Sequence, residues 1–212
     1  MRQLDHPNII RILDCGDTPE YCYIAMEYIQ GSDLSQHLHQ RGRLPLAEVC
    51  ALVQPLSNAL DYAHAQGLVH RDIKPSNVML AEEDGKLRPV LMDFGIAKQM
   101  GGQTMLTTAG AMVGTLSYVA PEQIQDAGDI DGCADVYAFG VMVYQMLAGE
   151  LPFKQSNPGA LLIAHLTQPP PDLCTLLPDL SFNVCDAVQK AMAKSPRDRF
   201  ASVGEFVAAL SG

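Results

Sequence analysis

Positive charge is scarce in this chain: 14 Lys and Arg face 24 Asp and Glu, for a formal net charge of −10. That balance excludes non-specific nucleic-acid binding and a polybasic membrane patch. Lysine is absent until Lys74, and Gly16 is the only glycine before Gly31. No CxxC pair occurs among the six cysteines, Cys15, Cys22, Cys50, Cys133, Cys174 and Cys185. Their scatter argues against a zinc site or a disulfide framework and for buried thiols in a cytoplasmic protein. The longest apolar run, VYAFGVMVYQMLAG at 136–149, is too short and too polar to span a bilayer and reads as a buried core helix. No signal peptide, internal repeat, low-complexity tract or linker is legible.

What is present suits one domain, or one and a fraction. The 212 residues are 48% hydrophobic and 18% charged, enough apolar mass for a core. NIIRIL (8–13) and YCYIAMEYI (21–29) are β-branched and aromatic, and the turn-like DCGDTPE between them predicts two antiparallel strands. GSDLSQHLHQRG (31–42) reads as a short helix stopped by Gly42. In 44–67, Val49, Leu52, Val53, Leu56, Leu60 and Ala63 recur at helical spacing, with Pro55 expected to kink the helix or break its ladder. NVML and RPVLMD read as a strand pair joined by AEEDGK, and 99–115 as a long polar loop. From 133 onward the pattern is helical. An all-round apolar segment runs to 148, Val184, Ala187, Val188, Ala191 and Met192 mark an amphipathic helix, and Val203, Phe206, Val207 and Leu210 stripe the last one behind a Ser202–Glu205 capping box.

Chemistry concentrates in HRDIKPSN at 70–77, which packs a general base, a phosphate-seeking lysine and a metal-ligating amide into one turn-prone loop. Such a set makes sense around a nucleoside triphosphate. DFG follows at Asp93-Phe94-Gly95 and APE at Ala120-Pro121-Glu122. Each tripeptide alone is weak, but three in this order are very hard to obtain by chance. Together they resemble a Ser/Thr protein kinase of the bacterial, eukaryotic-like type, and the resemblance covers essentially the whole chain. It implies an α+β, protein-kinase-like fold. A residual N-lobe with two strands and a hinge would occupy 1–30, and a mostly helical C-lobe 31–212.

The resemblance also implies roles, with ATP and Mg²⁺ as cofactors and Ser/Thr-bearing proteins as substrates. Phosphoryl transfer is mainly positioning and charge neutralisation. Asp72 would accept the substrate hydroxyl's proton, Lys74 would reach the transferring phosphate, and Asn77 and Asp93 are hard oxygen ligands for Mg²⁺. Thr115 matches the threonine that ties the substrate-binding loop to the Asp and Lys. MEYI (26–29) resembles the hinge: Met26 as gatekeeper, Glu27 and Ile29 offering backbone groups to adenine, Asp33 near the ribose and Met79 under the adenine ring. A buried Met and a helix-capping Asp are the alternatives for these softer positions. Asp135 would sit under the catalytic loop, Glu122 and Arg199 would form a buried ion pair, and His70 would stack under Phe94 rather than act as a base. Arg71 suggests control by activation-loop phosphorylation, with Thr107 and Thr108 the better-placed acceptors, Thr104 a third, and a second kinase chain as the partner in trans. His37 and His39, two apart on a predicted helix, make a poor metal pair.

The family's Gly-rich loop, strand lysine and helix glutamate have no counterpart in the chain, which is expected to begin inside the glutamate-bearing helix. Two functional classes stay open: an N-terminally truncated Ser/Thr kinase, and an inactive kinase-like lobe acting as a binding or regulatory module. Intact Asp72, Lys74, Asn77 and Asp93 favour the first. The chain as it stands is expected to transfer phosphate extremely slowly or not at all, and its uncovered strand edge to be an association hazard.

Overall fold

The computed structural model describes residues 4–18, 21–83, 85–94, 116–125, 128 and 130–211. The centre of the body is α4 (Gly132–Ala148), started by Asp131, whose carboxylate accepts the Cys133 N–H at 2.8 Å. It has no polar side and is buried almost all round, as its sequence predicts. Around it lie α1 (Leu34–Arg41), α2 (Leu46–Ala65), α3 (Pro121–Ile124), α5 (Pro158–Thr167), α6 (Leu173–Leu176), α7 (Phe182–Ala191) and α8 (Val203–Ala209). Among the described residues no helix is long and apolar enough to cross a membrane.

Helix α2 continues across Pro55, which has no N–H and so leaves one rung of the hydrogen-bond ladder unmade, as expected. An interior proline costs about 3 kcal/mol. The buried stripe of Val49, Leu52, Val53, Leu56 and Leu60, at about 1.5–3 kcal/mol each, outweighs that loss. Asp61 on the same helix accepts the Val203 and Gly204 N–H groups at 3.1 and 3.0 Å, so α2 caps α8 from across the core. The expected capping box is half present. Ser202 Oγ accepts the Glu205 N–H at 3.1 Å, but Glu205 reaches back to the Ala201 N–H at 3.0 Å, one residue earlier than the pattern requires.

The strands form two small sheets. β3 (Gly31–Asp33), β4 (Val78–Glu83) and β5 (Lys86–Leu91) make an antiparallel sheet in that order, and β1 (Ile12–Asp17) pairs with β2 (Cys22–Met26) separately. The first strand lies later than expected. Residues 8–10 are instead spent on anchoring: the Ile10 N–H donates to the Leu91 carbonyl, the Leu91 N–H to the Asn8 carbonyl, both at 2.8 Å, and Asn8 Nδ2 to the Pro89 carbonyl at 2.7 Å. The DCGD stretch, read as a turn, supplies the ladder because pairing uses backbone groups whatever the side chains. Residues 31–33, read as helix, form β3 first. Gly31 is required there, with φ 153° and a Cβ position that would overlap the Leu80 carbonyl.

The cysteines depart from expectation. Cys174 and Cys185 form a disulfide between α6 and α7, with Cα atoms 5.8 Å apart. The turn between the helices brings them together, and no spacing motif announces it. Cys15 and Cys22 are exposed, and Cys50 and Cys133 are half-buried, so the thiols are not core residues.

Candidate active site

The loop from 68 to 77 takes its shape from side chains of the body. Asp135 on α4 is fully buried, and its carboxylate accepts the His70 N–H through Oδ2 and the Arg71 N–H through Oδ1, each at 2.7 Å. His64 Nε2 from α2 lies 2.7 Å from the same Oδ2. A buried carboxylate needs such partners, and here they lock the loop to α2 and α4. Arg71 is held at a left-handed φ of 65°, a conformation that costs a non-glycine residue about 1–2 kcal/mol. Its exposed guanidinium meets the Ile130 carbonyl at 3.2 Å.

His70 turns inward and is fully buried. Its Nδ1 accepts the Asp72 N–H at 3.3 Å, which leaves Nε2 to carry the proton and donate to the Met92 carbonyl at 2.7 Å. Both ring nitrogens are thus used internally, and the ring packs on Phe94 at 4.7 Å, tilted by 51°. Outside this ring the functional groups converge. Lys74 Nζ lies 2.8 Å from Asp72 Oδ2, while Asn77 Nδ2 donates to the Asp72 carbonyl at 2.8 Å and to Oδ2 at 3.1 Å. A 3-10 turn at Pro75–Asn77 makes this possible, bringing Asn77 back toward Asp72. The β4–β5 hairpin then brings Asp93 to the same end. Val78 pairs with Leu91, the Met92 N–H donates to the Asn77 carbonyl at 2.9 Å, and Asp93 follows, exposed, at a φ of 51°. Positive φ at two non-glycine residues flanking one cluster is strain of the kind that collects at functional sites.

At the end of the hairpin, Met26 pairs with Ile12 in the β1–β2 ladder. The Glu27 N–H donates to the Arg11 carbonyl at 3.0 Å, and Ile29 follows half-buried. Asp33 caps α1, accepting the Gln36 N–H at 2.8 Å and Gln36 Nε2 at 2.7 Å. One oxygen therefore caps the helix and the other holds the Gln36 side chain. Met79 is half-buried and faces Asp33 across β3–β4. Gly95, Thr104, Thr107, Thr108 and Thr115 lie outside the described residues.

Below the loop, Arg199 and Glu122 form a buried bidentate pair at 2.6 and 2.8 Å. Arg199 also donates to the carbonyls of Ala193, Cys133 and Lys194, so the guanidinium is fully satisfied. Next to it, Tyr137 Oη lies 2.9 Å from His165 Nδ1, and Lys194 stands 4.7 Å over the Phe153 ring. Burial first, then the Lys194 charge, push the His165 pKa down to about 4, while burial lowers Lys194 to about 8. Sequence reasoning missed His64, His165 and Gln123, since each acts through a partner distant in sequence. The only signal for Gln123 is its place directly after APE.

The family described as Protein kinase domain matches residues 1–207. Serine/threonine-protein kinase Pkn1 of Myxococcus xanthus is 41% identical over 210 residues, covering 98% of this chain and 30% of that protein. Serine/threonine-protein kinase PknJ of Mycobacterium tuberculosis is 39% identical over 211 residues, covering 98% of this chain and 35% of that protein. Among solved structures, the Mycobacterium tuberculosis PknI kinase domain superposes with a TM-score of 0.76 at 37% identity, covering 98% of this chain and 73% of that one. The chain spans about a third of the length of these two curated relatives.

Proposed function

Because the chain belongs to the protein kinase family, in its bacterial serine/threonine branch, and has that fold, we propose that it transfers the γ-phosphate of ATP to Ser and Thr hydroxyls of proteins. The observation that carries the reading is the Asp72–Lys74–Asn77 cluster, with Asp93 at the same strand end. Asp72 accepts the hydroxyl proton and aims the oxygen, and its ion pair with Lys74 at 2.8 Å fixes the direction of the carboxylate. Lys74 neutralises charge on the phosphate as it moves. The amide oxygen of Asn77 and the carboxylate of Asp93 are hard donors that fit Mg²⁺. When bound, that ion supplies charge neutralisation at the phosphate oxygens. Met26, the Glu27 carbonyl, Ile29 and Met79 frame the adenine, Asp33 stands near the ribose, and Thr115 ties the substrate loop to Asp72 and Lys74. In this reading 1–30 is the residual N-lobe and 31–212 the C-lobe. Thr104, Thr107 and Thr108 are acceptors from a second copy, with the exposed Arg71 guanidinium as the phosphate's partner.

The alternative of an inactive binding module has no feature of its own in its favour. The test is transfer of labelled phosphate from ATP to a generic protein substrate, followed over hours at high chain concentration, because the chain supplies no Gly-rich loop or strand lysine. Slow Mg²⁺-dependent transfer is expected, falling at least about a hundredfold in Asp72→Asn. A signal of equal size in both proteins, or no dependence on Mg²⁺, overturns the reading.

A further inference from the structure

The strained Arg71 is held from two directions. Asp135 takes its N–H from below, and a second side chain holds its carbonyl: Gln123 Nε2 donates to the Arg71 oxygen at 3.0 Å. The other end of the Gln123 amide is also fixed, since Oε1 accepts the Ala120 N–H at 3.0 Å. One side chain therefore bridges the start of α3 to the peptide unit that precedes Asp72. That unit is clamped at both ends, because its N–H, belonging to Asp72, donates to His70 Nδ1 at 3.3 Å. Glu122, the neighbouring residue, ties α3 downward to Arg199. Adjacent side chains of a four-residue helix thus reach the deep core and the catalytic loop.

We infer that Gln123 is a positioning residue for the phosphotransfer reaction, fixing the Arg71–Asp72 peptide plane and with it the direction of the Asp72 carboxylate. The inference rests on the reading of Asp72 as the general base. Its physical basis is that a left-handed non-glycine residue persists only when its surroundings over-determine it. Asp135 restrains the N–H side of Arg71, and His70 Nδ1 holds the following plane only through the Asp72 N–H at 3.3 Å, which leaves its carbonyl end without a hold. Gln123 supplies the missing restraint, and it does so from α3, at the end of the segment carrying the proposed phosphate acceptors. A shift of α3 would move the hold on Asp72 with it.

The test separates the two ends of the amide. Gln123→Glu keeps an acceptor for the Ala120 N–H but sets a carboxylate against the Arg71 carbonyl. Gln123→Lys keeps a donor for the Arg71 carbonyl and loses the acceptor. Gln123→Met loses both. Hydrogen exchange of the peptide spanning 70–74 is read in the whole chain, with thermal melting as the folding control. Exchange is expected to rise about tenfold or more in the Met and Glu variants and to stay within about twofold in Lys. Protection unchanged in Met and Glu, or lost in Lys as in Met, overturns the inference, as does a Glu variant that behaves like the unaltered chain. In phosphotransfer, Glu should lower kcat at least about tenfold with KM for ATP within about twofold, and Lys should restore kcat. A fall confined to KM also overturns it. Absence of transfer by the unaltered chain bears on the proposed reaction alone, and exchange still decides the clamp.

Discussion

Helix α4 buries thirteen of its 17 residues, whereas the six-residue β1 and five-residue β2 bury none. In α4, residues such as Val136, Tyr137, Phe139 and Met142 are excluded from water on every side, each contributing about 1.5–3 kcal/mol. The hairpin instead exposes Leu13, Tyr21 and Tyr23, with Tyr28 just beyond it 89% exposed. A two-stranded sheet is marginal alone, and this one leans on a few anchors, Asn8, Ile9 and Ile10 against the end of β5. The difference separates two jobs. The proposed reacting groups, Asp72, Lys74 and Asn77, sit on the self-sufficient body, braced by Asp135 from inside α4. Of the proposed adenine-facing groups, Met26, Glu27 and Ile29 sit at the end of a strand pair with no core of its own, while Met79 belongs to the body.

The contrast is broken most severely from beneath the body. Arg199→Met leaves the buried Glu122 carboxylate unpaired and strips three carbonyls of a donor. Loss of one partner from such a pair costs about 3–5 kcal/mol, to be read as a lowered urea midpoint. The hairpin should gain nothing to compensate.

A smaller effect comes from His165, buried against Tyr137 and Phe153 with Lys194 nearby. Its pKa falls from 6.5 unfolded to about 4 folded, so between those values the unfolded chain binds the extra proton. Its contribution is complete above pH 6.5 and is lost as the pH drops toward 4, by up to about 3 kcal/mol. Urea titrations of the unaltered chain and of His165→Gln should converge as pH falls through that window, the general carboxylate contribution cancelling in the difference. Parallel curves would remove His165 from the account. The smallest effect belongs to the hairpin side: Tyr28→Ser should change stability by no more than about 0.5 kcal/mol in the same assay. A loss above about 1 kcal/mol would mean that the strand pair carries part of the fold, and the contrast with α4 would fail.

The loop chemistry was legible because HRDIKPSN, DFG and APE are contiguous residue types in a fixed order, and the helices of the body because their apolar spacing repeats every three to four residues. Strand edges were less so. Residues 8–11 carry strand-forming side chains yet are used for docking, and DCGD pairs although its composition says turn. Pro55 removes a rung from the α2 ladder as its residue type dictates, while burial of the apolar stripe carries the helix across it. Asp33 was readable as a helix cap from its place before α1, and its Oδ1 fills that role.

What the sequence determined by itself is which groups are available for the proposed phosphoryl transfer and roughly which segments are helical, since both follow from residue identity and short-range periodicity. The tertiary structure alone decided how those groups are held. The Cys174–Cys185 bond, the Asp61 cap on α8 and the Gln123 bridge each join residues that lie apart in the chain. Donor and acceptor there meet only after helices have packed, so no local pattern in the sequence can encode the pairing.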